Sequence, residues 1–242
     1  MFEKIITETH SFMQSISEFL GNAWTELIFF FGILKILILH RNVSIPKSFN
    51  HEFPNEMKIL NKFLVDICKK EKIKNIPKIE VVNFFEPASA LSLFSIIPSS
   101  IHLPKEELAL QKDLKCAKAT ILHELAHIKH EDSFFSFMFF CVLYFSVLYC
   151  AFVSFEVSII ALMICTKIFQ HYNHYIEYRA DAMTKKYNLE FYLIKQLAWF
   201  EHAEPSCDTL THPSLMKRNK KLNPKHHRLT LKKATRLLKL PL

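Results

Sequence analysis

The 242-residue chain reads as mainly α-helical with a small β element, an integral-membrane fold whose polar domain is interrupted by a transmembrane helical hairpin. Three observations predict this. Residues 134–155 hold no charged side chain, and the apolar run resumes after Glu156 as far as Thr166. Polar stretches on either side carry helical periods over 53–72, 108–131 and 172–202. One short piece, 78–84 (KIEVVNF), alternates as a strand between Pro77 and Pro87.

The elements follow in order. Segment 1–22 begins Met1-Phe2-Glu3-Lys4, without a basic stretch or a small-residue cleavage site, so no cleaved signal peptide is expected. Residues 23–39 (AWTELIFFFGILKILIL) fit either a membrane span or a buried amphipathic helix, because Glu26 and Lys35 interrupt them. Residues 40–133 form the first half of a polar domain. In it, Met57, Leu60, Phe63, Leu64 and Ile67 mark one helix, and 100–103 is a second extended piece closed by Pro104. Leu110, Leu114, Ala117, Ile121, Leu125 and Ile128 mark a longer helix over 108–131. As a single helix, 134–169 would run about 54 Å, against about 30 Å of hydrocarbon. A hairpin resolves the mismatch: 134–153 crosses, 154–156 turns and 157–169 returns. Residues 170–222 form the second half of the domain, and 223–242 a basic tail.

Composition removes several function classes. The only glycines are Gly21 and Gly32, so neither Gly-rich phosphate loop can be built. The six cysteines contain no C-x-x-C pair, and a reducing compartment is expected. The net charge of +8 comes from the C-terminus, where 209–242 carry ten Lys or Arg and no Asp or Glu. Such a run suits nucleic acid, an anionic membrane surface or plain solvent. No Phe, Tyr or Trp follows Phe200, so base stacking has no platform and no nucleic-acid partner is expected. The lipid bilayer is the expected contact.

The chemistry lies in His123-Glu124-Leu125-Ala126-His127, an H-E-x-x-H pattern on the 108–131 helix. Four residues return to the same helix face, so both imidazoles can reach one Zn2+, with Glu124 beside it as a base for water. With 13 histidines in the chain, the same pattern also fits a core or solvated histidine pair. A catalytic zinc takes a third protein ligand. Glu177 in Glu177-Tyr178-Arg179-Ala180-Asp181 fits, with Asp181 one turn on to accept a ring N–H. Alone, that pair also fits surface ion pairs, and His171 and His174 are alternative third ligands. His130 lies two turns from His123 and cannot join the same ion. The two motifs flank the apolar stretch, and only a two-leg hairpin returns them to one side of a membrane.

These residues resemble the HtpX-type and CAAX-prenyl-endopeptidase group of membrane zinc metallopeptidases, over about 80–222. The elements come in the family's order: Ser89-Ala90-Leu91, the 100–103 edge strand, the 123–132 zinc helix, an apolar hairpin and the E-x-x-A-D signature. Thr211-His212-Pro213-Ser214 with Arg218 then matches a late H-P-x-x-x-x-R element. The family's Asn is Ser89 here, and its usual pair of N-terminal spans is reduced to one. The beta-lactam-receptor type of membrane sensor peptidase also shares H-E-L-A-H and a hairpin, but lacks the H-P element.

The resemblance implies an integral-membrane, zincin-type metallopeptidase domain interrupted by a transmembrane hairpin. It implies one Zn2+ on His123, His127 and Glu177, Glu124 as general base, and Asp181 orienting a histidine. His212 and Arg218 would steady the oxyanion or Glu177. Ser100, Ile101, His102 and Leu103 are the expected substrate-binding strand. The expected activity is hydrolysis of peptide bonds in protein or peptide substrates near the membrane. A non-catalytic membrane protein with a structural zinc is the alternative, and the presence of Glu124 speaks against it. Arg41 and Lys47 after the first apolar stretch, with the basic tail, put the site on the cytoplasmic side of the inner membrane.

Overall fold

The computed structural model describes residues 48–83, 89–91, 99–110, 114–201 and 208–224, with 18, 21, 22, 24 and 26 near the start. Most of the expected 23–39 helix and nearly all of the basic tail lie outside the described residues. The chain divides into two compact units, Met1–Ile45 with Phe137–His171, and Pro46–Ser136 with Tyr172–Leu242.

The larger unit opens with a 3-10 turn, Asn50–Glu52, and helix α1, Pro54–Lys70. Pro54 at the first helical turn lacks only an N–H that would be unpaired anyway. Met57, Leu60, Leu64 and Ile67 recur at helical spacing and are buried. Strands β1 (Lys78–Val82), β2 (Ser89–Leu91) and β3 (Ser100–Pro104) form one sheet in the order β1-β3-β2. β3 runs parallel to β1, with Glu80 opposite His102, and antiparallel to β2, with Ser89 opposite His102. Alternation then separates the faces: Ile79, Val81, Ile101 and Leu103 enter the core, while His102 reaches Glu80 on the other side at 3.5 Å.

Helix α2 (Lys105–Leu110) precedes α3 (Lys115–Lys129), where a single helix over 108–131 was expected. Within one continuous helix Glu107 and Thr120 would stand about 20 Å apart. Instead Thr120 donates to Glu107 Oε1 at 2.8 Å, so α2 folds back against α3. α3 is buried on nearly all sides. Ile121, Leu125 and Ile128 face α1 and the sheet, and Ala119 meets Leu193, Ile194 and Ala198. Small residues at 116, 117, 119 and 126 allow this close approach from several directions.

α3 ends through Glu131, at φ 51°, and α4 (Asp132–Val153) starts at once. After Ser154, α5 runs Phe155–Lys186, so the expected return leg and the Glu177–Asp181 segment belong to one helix. The helix expected over 172–202 is broken at Asn188, φ 56°. Leu189 N donates to Thr184 O at 2.9 Å and Asn188 N to Lys185 O at 3.0 Å, a Schellman ending that suits asparagine's tolerance of the left-handed region. α6 (Glu190–Glu201) and α7 (Leu215–Leu222) complete the unit.

In the smaller unit, Val147 and Ala151 pack with Trp24, Tyr144, Leu148, Ala161 and Cys165. Phe169 stacks on Phe139 at 6.5 Å, and Trp24 meets Phe155 edge-on at 5.8 Å. Among the described residues one helix, Asp132–Val153, is long and apolar enough to cross a membrane. Its outer face is open, with Phe145 at 61% and Phe152 at 75% exposure. The break at Ser154 falls within the turn expected at 154–156.

Candidate metal centre

α3 turns His123 and His127 onto one face, and α5 brings Glu177 to it. His123 Nε2 and His127 Nε2 are 3.2 Å apart, and Glu177 lies 3.4 Å from the first and 3.5 Å from the second. A tetrahedral zinc with ligands about 2.0–2.1 Å away separates those ligands by about 3.3 Å. The histidine–histidine edge matches, and each histidine nitrogen finds a Glu177 oxygen at that spacing, Oε2 for His123 and Oε1 for His127.

The far side of each ring explains why these atoms converge. Asp181 Oδ1 is 3.0 Å from His123 Nδ1, and Asp132 Oδ2 is 2.9 Å from His127 Nδ1. A carboxylate can only accept, so both rings carry a proton on Nδ1 and present an Nε2 lone pair inward. Two lone pairs and a carboxylate then face one another, with Glu177 Oε2 buried and 3.2 Å from Arg218 Nη1 on its other side. A proton or a cation at their common centre offsets this crowding of acceptors, and two imidazole nitrogens with one carboxylate are a donor set that fits Zn2+.

Electrostatics agree. Burial pulls the His123 imidazole toward its neutral form, but hydrogen bonds to Asp181 and Glu177 outweigh it and raise its pKa. Burial would raise Glu177, and the Arg218 charge with His123 holds it well below the glutamate range. Asp181 is likewise lowered against its own burial, by Arg218 and His123. A cation at the centre takes over the role of that His123 proton.

Each expected residue can now be located. Glu124 is buried beside His123 on α3. His212 brings Nε2 to 3.5 Å from Glu177 Oε1. Arg218, 4% exposed, donates Nε and Nη2 to Asp181 at 2.9 and 2.5 Å and lies 3.2 Å from Glu177 Oε2 through Nη1. Its guanidinium is therefore occupied by Asp181, which holds His123, and by Glu177. His130 and His171 are exposed, and His174 bonds to the Thr209 carbonyl, so none of them is a third ligand.

The 100–103 strand differs from expectation. It was expected at an edge, but β3 is the middle strand: 100–104 pair with β1, and 100–102 also pair with β2. The Ile101 and Leu103 side chains lie in the core at 0% exposure, Ser100 Oγ is 3.1 Å from His102 Nε2, and His102 faces Glu80. Strand addition at 100–102 is blocked by pairing on both sides, and among the described residues β2 is the edge strand beside it.

Two residues escaped the sequence reading. Asp132 marked only the end of the zinc helix. The left-handed Glu131 instead turns it back onto His127, and Arg179 pairs with its other oxygen. Glu107, fully buried and bonded by Thr120, is pushed by burial to a pKa of about 8, with the Glu124 charge adding to the rise. It stands as a neutral acid against Thr120, which lies one helical turn from Glu124. No local spacing signals either role.

Comparison with known proteins matches the geometry. The crystal structure of S. mikatae Ste24p superposes with a TM-score of 0.52 at 17% identity, over 68% of this chain and 49% of that one. At that identity the likeness is one of fold, and this chain spans about half the length of its neighbour. No curated protein matches the chain. The sequence profile of peptidase family M48 covers residues 99–225, more than half of the chain and every residue of the metal centre. The chain belongs to peptidase family M48, a family of metallopeptidases.

Proposed function

We propose that the chain is a membrane-bound zinc endopeptidase that hydrolyses peptide bonds of protein or peptide substrates at the membrane surface. The observation that carries the reading is the inward convergence of His123 Nε2, His127 Nε2 and Glu177, with an acid-base residue, Glu124, one position from the first ligand. Zinc held there supplies a Lewis acid and brings the pKa of a water molecule toward about 7.

The chain's own groups do the rest. Glu124 takes the proton of the attacking water and returns it to the leaving amine. His212, on a separate loop at the rim, donates Nε2–H toward the negative oxygen that develops on the scissile carbonyl. Asp181 and Asp132 hold the two imidazoles in the Nδ1–H form, and Arg218 holds Asp181 and Glu177. An extended substrate would add to β2, the edge strand beside β3 among the described residues.

The sequence elements in family order, from Ser89 to Arg218, support the HtpX-type and CAAX-prenyl-endopeptidase branch within the family. The apolar α4 and the break at Ser154 support a transmembrane hairpin, and the Lys/Arg distribution supports a site facing the cytoplasm. The test compares purified wild type with Glu124→Gln for zinc content and cleavage of casein. One zinc per chain in both, with cleavage only by the wild type, is expected. Zinc in both with cleavage by neither would make the metal structural.

A further inference from the structure

The turn that carries His212 is tied to the same helix that supplies Glu177. Thr209 N donates to His212 O at 2.9 Å, and His212 N donates to Thr209 Oγ1 at 2.8 Å, closing residues 209–212 into a four-residue turn. Thr211 Oγ1 sits 2.8 Å from His212 Nδ1 and leaves Nε2 for the centre. The turn is exposed, so its own hydrogen bonds do not anchor it.

Two buried side chains of α5 supply the anchor. His174, 9% exposed, has Nε2 at 3.0 Å from the carbonyl of Thr209. A carbonyl only accepts, so this ring carries its proton on Nε2. Asn173, 4% exposed, donates Nδ2 to the carbonyl of Leu210 at 3.3 Å and accepts from Ser136 Oγ at 3.1 Å. Asn173 and His174 precede Glu177 by four and three residues, so all three share one helix face. Neither belongs to the metal set, and neither needs an inward polar side chain for packing alone.

We infer that Asn173 and His174 are positioning residues that set His212 over the Glu177 end of the metal centre, so that ligand and oxyanion donor are registered by a single helix. The inference rests on the role proposed for His212. Loss of the tether frees the turn, and a displacement of about 1 Å at a charge-stabilising donor can cost about 100-fold in rate.

Four variants test it: His174→Ala, His174→Gln, Asn173→Asp and His212→Ala, with the double variant His174→Ala/His212→Ala. His174→Gln keeps an N–H near the same place, whereas Asn173→Asp loses the donor to Leu210 but keeps the acceptor for Ser136. His174→Ala and Asn173→Asp are expected to lower kcat about 10–100-fold, with KM and zinc content unchanged, and His174→Gln to restore most of it. In the His212→Ala background, His174→Ala is expected to add less than about 2-fold. Amide exchange of 208–214 gives a readout that does not depend on turnover: faster deuterium uptake in His174→Ala and Asn173→Asp, near-normal uptake in His174→Gln. Unchanged uptake in His174→Ala, or an equal rate loss with and without His212, would overturn the inference. A His212→Ala enzyme with normal kcat would instead remove the oxyanion role, and exchange alone would then decide the tether.

Discussion

Arg218→Met separates two jobs that a buried arginine beside a metal could hold. The guanidinium is 4% exposed, bonds both oxygens of Asp181, which is 1% exposed, and touches Glu177. Removing one member of a buried ion cluster leaves its partners charged and unsolvated, at about 3–5 kcal/mol. For a domain of this size each kcal/mol moves the midpoint about 2–4 °C, so a loss of about 6–20 °C is expected. Zinc neutralises Glu177, so the loss is larger in chelated protein than in loaded protein. Thermal unfolding of both forms in detergent measures it, with zinc affinity expected to fall about 10-fold as Asp181 loses its hold on His123. Arg218→Lys rescues little, since an ammonium cannot bond both oxygens in fork geometry. A normal midpoint and normal zinc affinity with turnover lost would refute the anchoring role and return Arg218 to the oxyanion.

Three further expectations concern the histidine-holding carboxylates, the Glu71 cluster and the orientation of the chain. Asp132→Asn and Asp181→Asn each weaken zinc about 10–100-fold by competition titration, because each releases one imidazole from its fixed tautomer; unchanged affinity in Asp132→Asn would remove its role on His127. Glu71 is held by Lys129 at 2.8 Å, Lys186 at 2.6 Å and the Tyr187 hydroxyl at 2.6 Å, which together bring its pKa down to about 2. Its stabilisation is thus complete above about pH 5 and is lost as pH falls toward 2, up to about 3 kcal/mol. In chelated protein the wild type therefore loses more stability from pH 6 to 3 than Glu71→Gln does, and equal losses would contradict this. For orientation, a single cysteine at Glu156 is expected to react with an impermeant thiol reagent on intact cells, and one at Ser206 is not; the reverse pattern would invert the topology.

How much of this was legible in the sequence depends on range. The histidine spacing of α3 and the Glu177–Asp181 step were readable because i, i+3 and i+4 neighbours share a face whatever the tertiary fold. The helix break at Ser154 lies within the 154–156 segment where length alone placed a turn. Sheet order was not readable, since nothing in 100–103 distinguishes a middle strand from an edge one. The break at Asn188 had a local signal that the surrounding helical period masked. Asp132 was hidden for a different reason. Its contact with His127 depends on Glu131 entering the left-handed region, a conformation glutamate does not advertise. Arg218 was identified as part of the site, but its partner was set by the packing of α7 against α3 and α5.

The central claim is a single zinc on His123, His127 and Glu177. Anomalous diffraction at the zinc edge from crystals of the full chain tests it most directly. The account predicts one peak per chain, about 2.0–2.2 Å from both Nε2 atoms and a Glu177 oxygen, absent in His127→Ala crystals. A zinc bound through other side chains, or no peak in zinc-saturated wild type that cleaves casein, would contradict it.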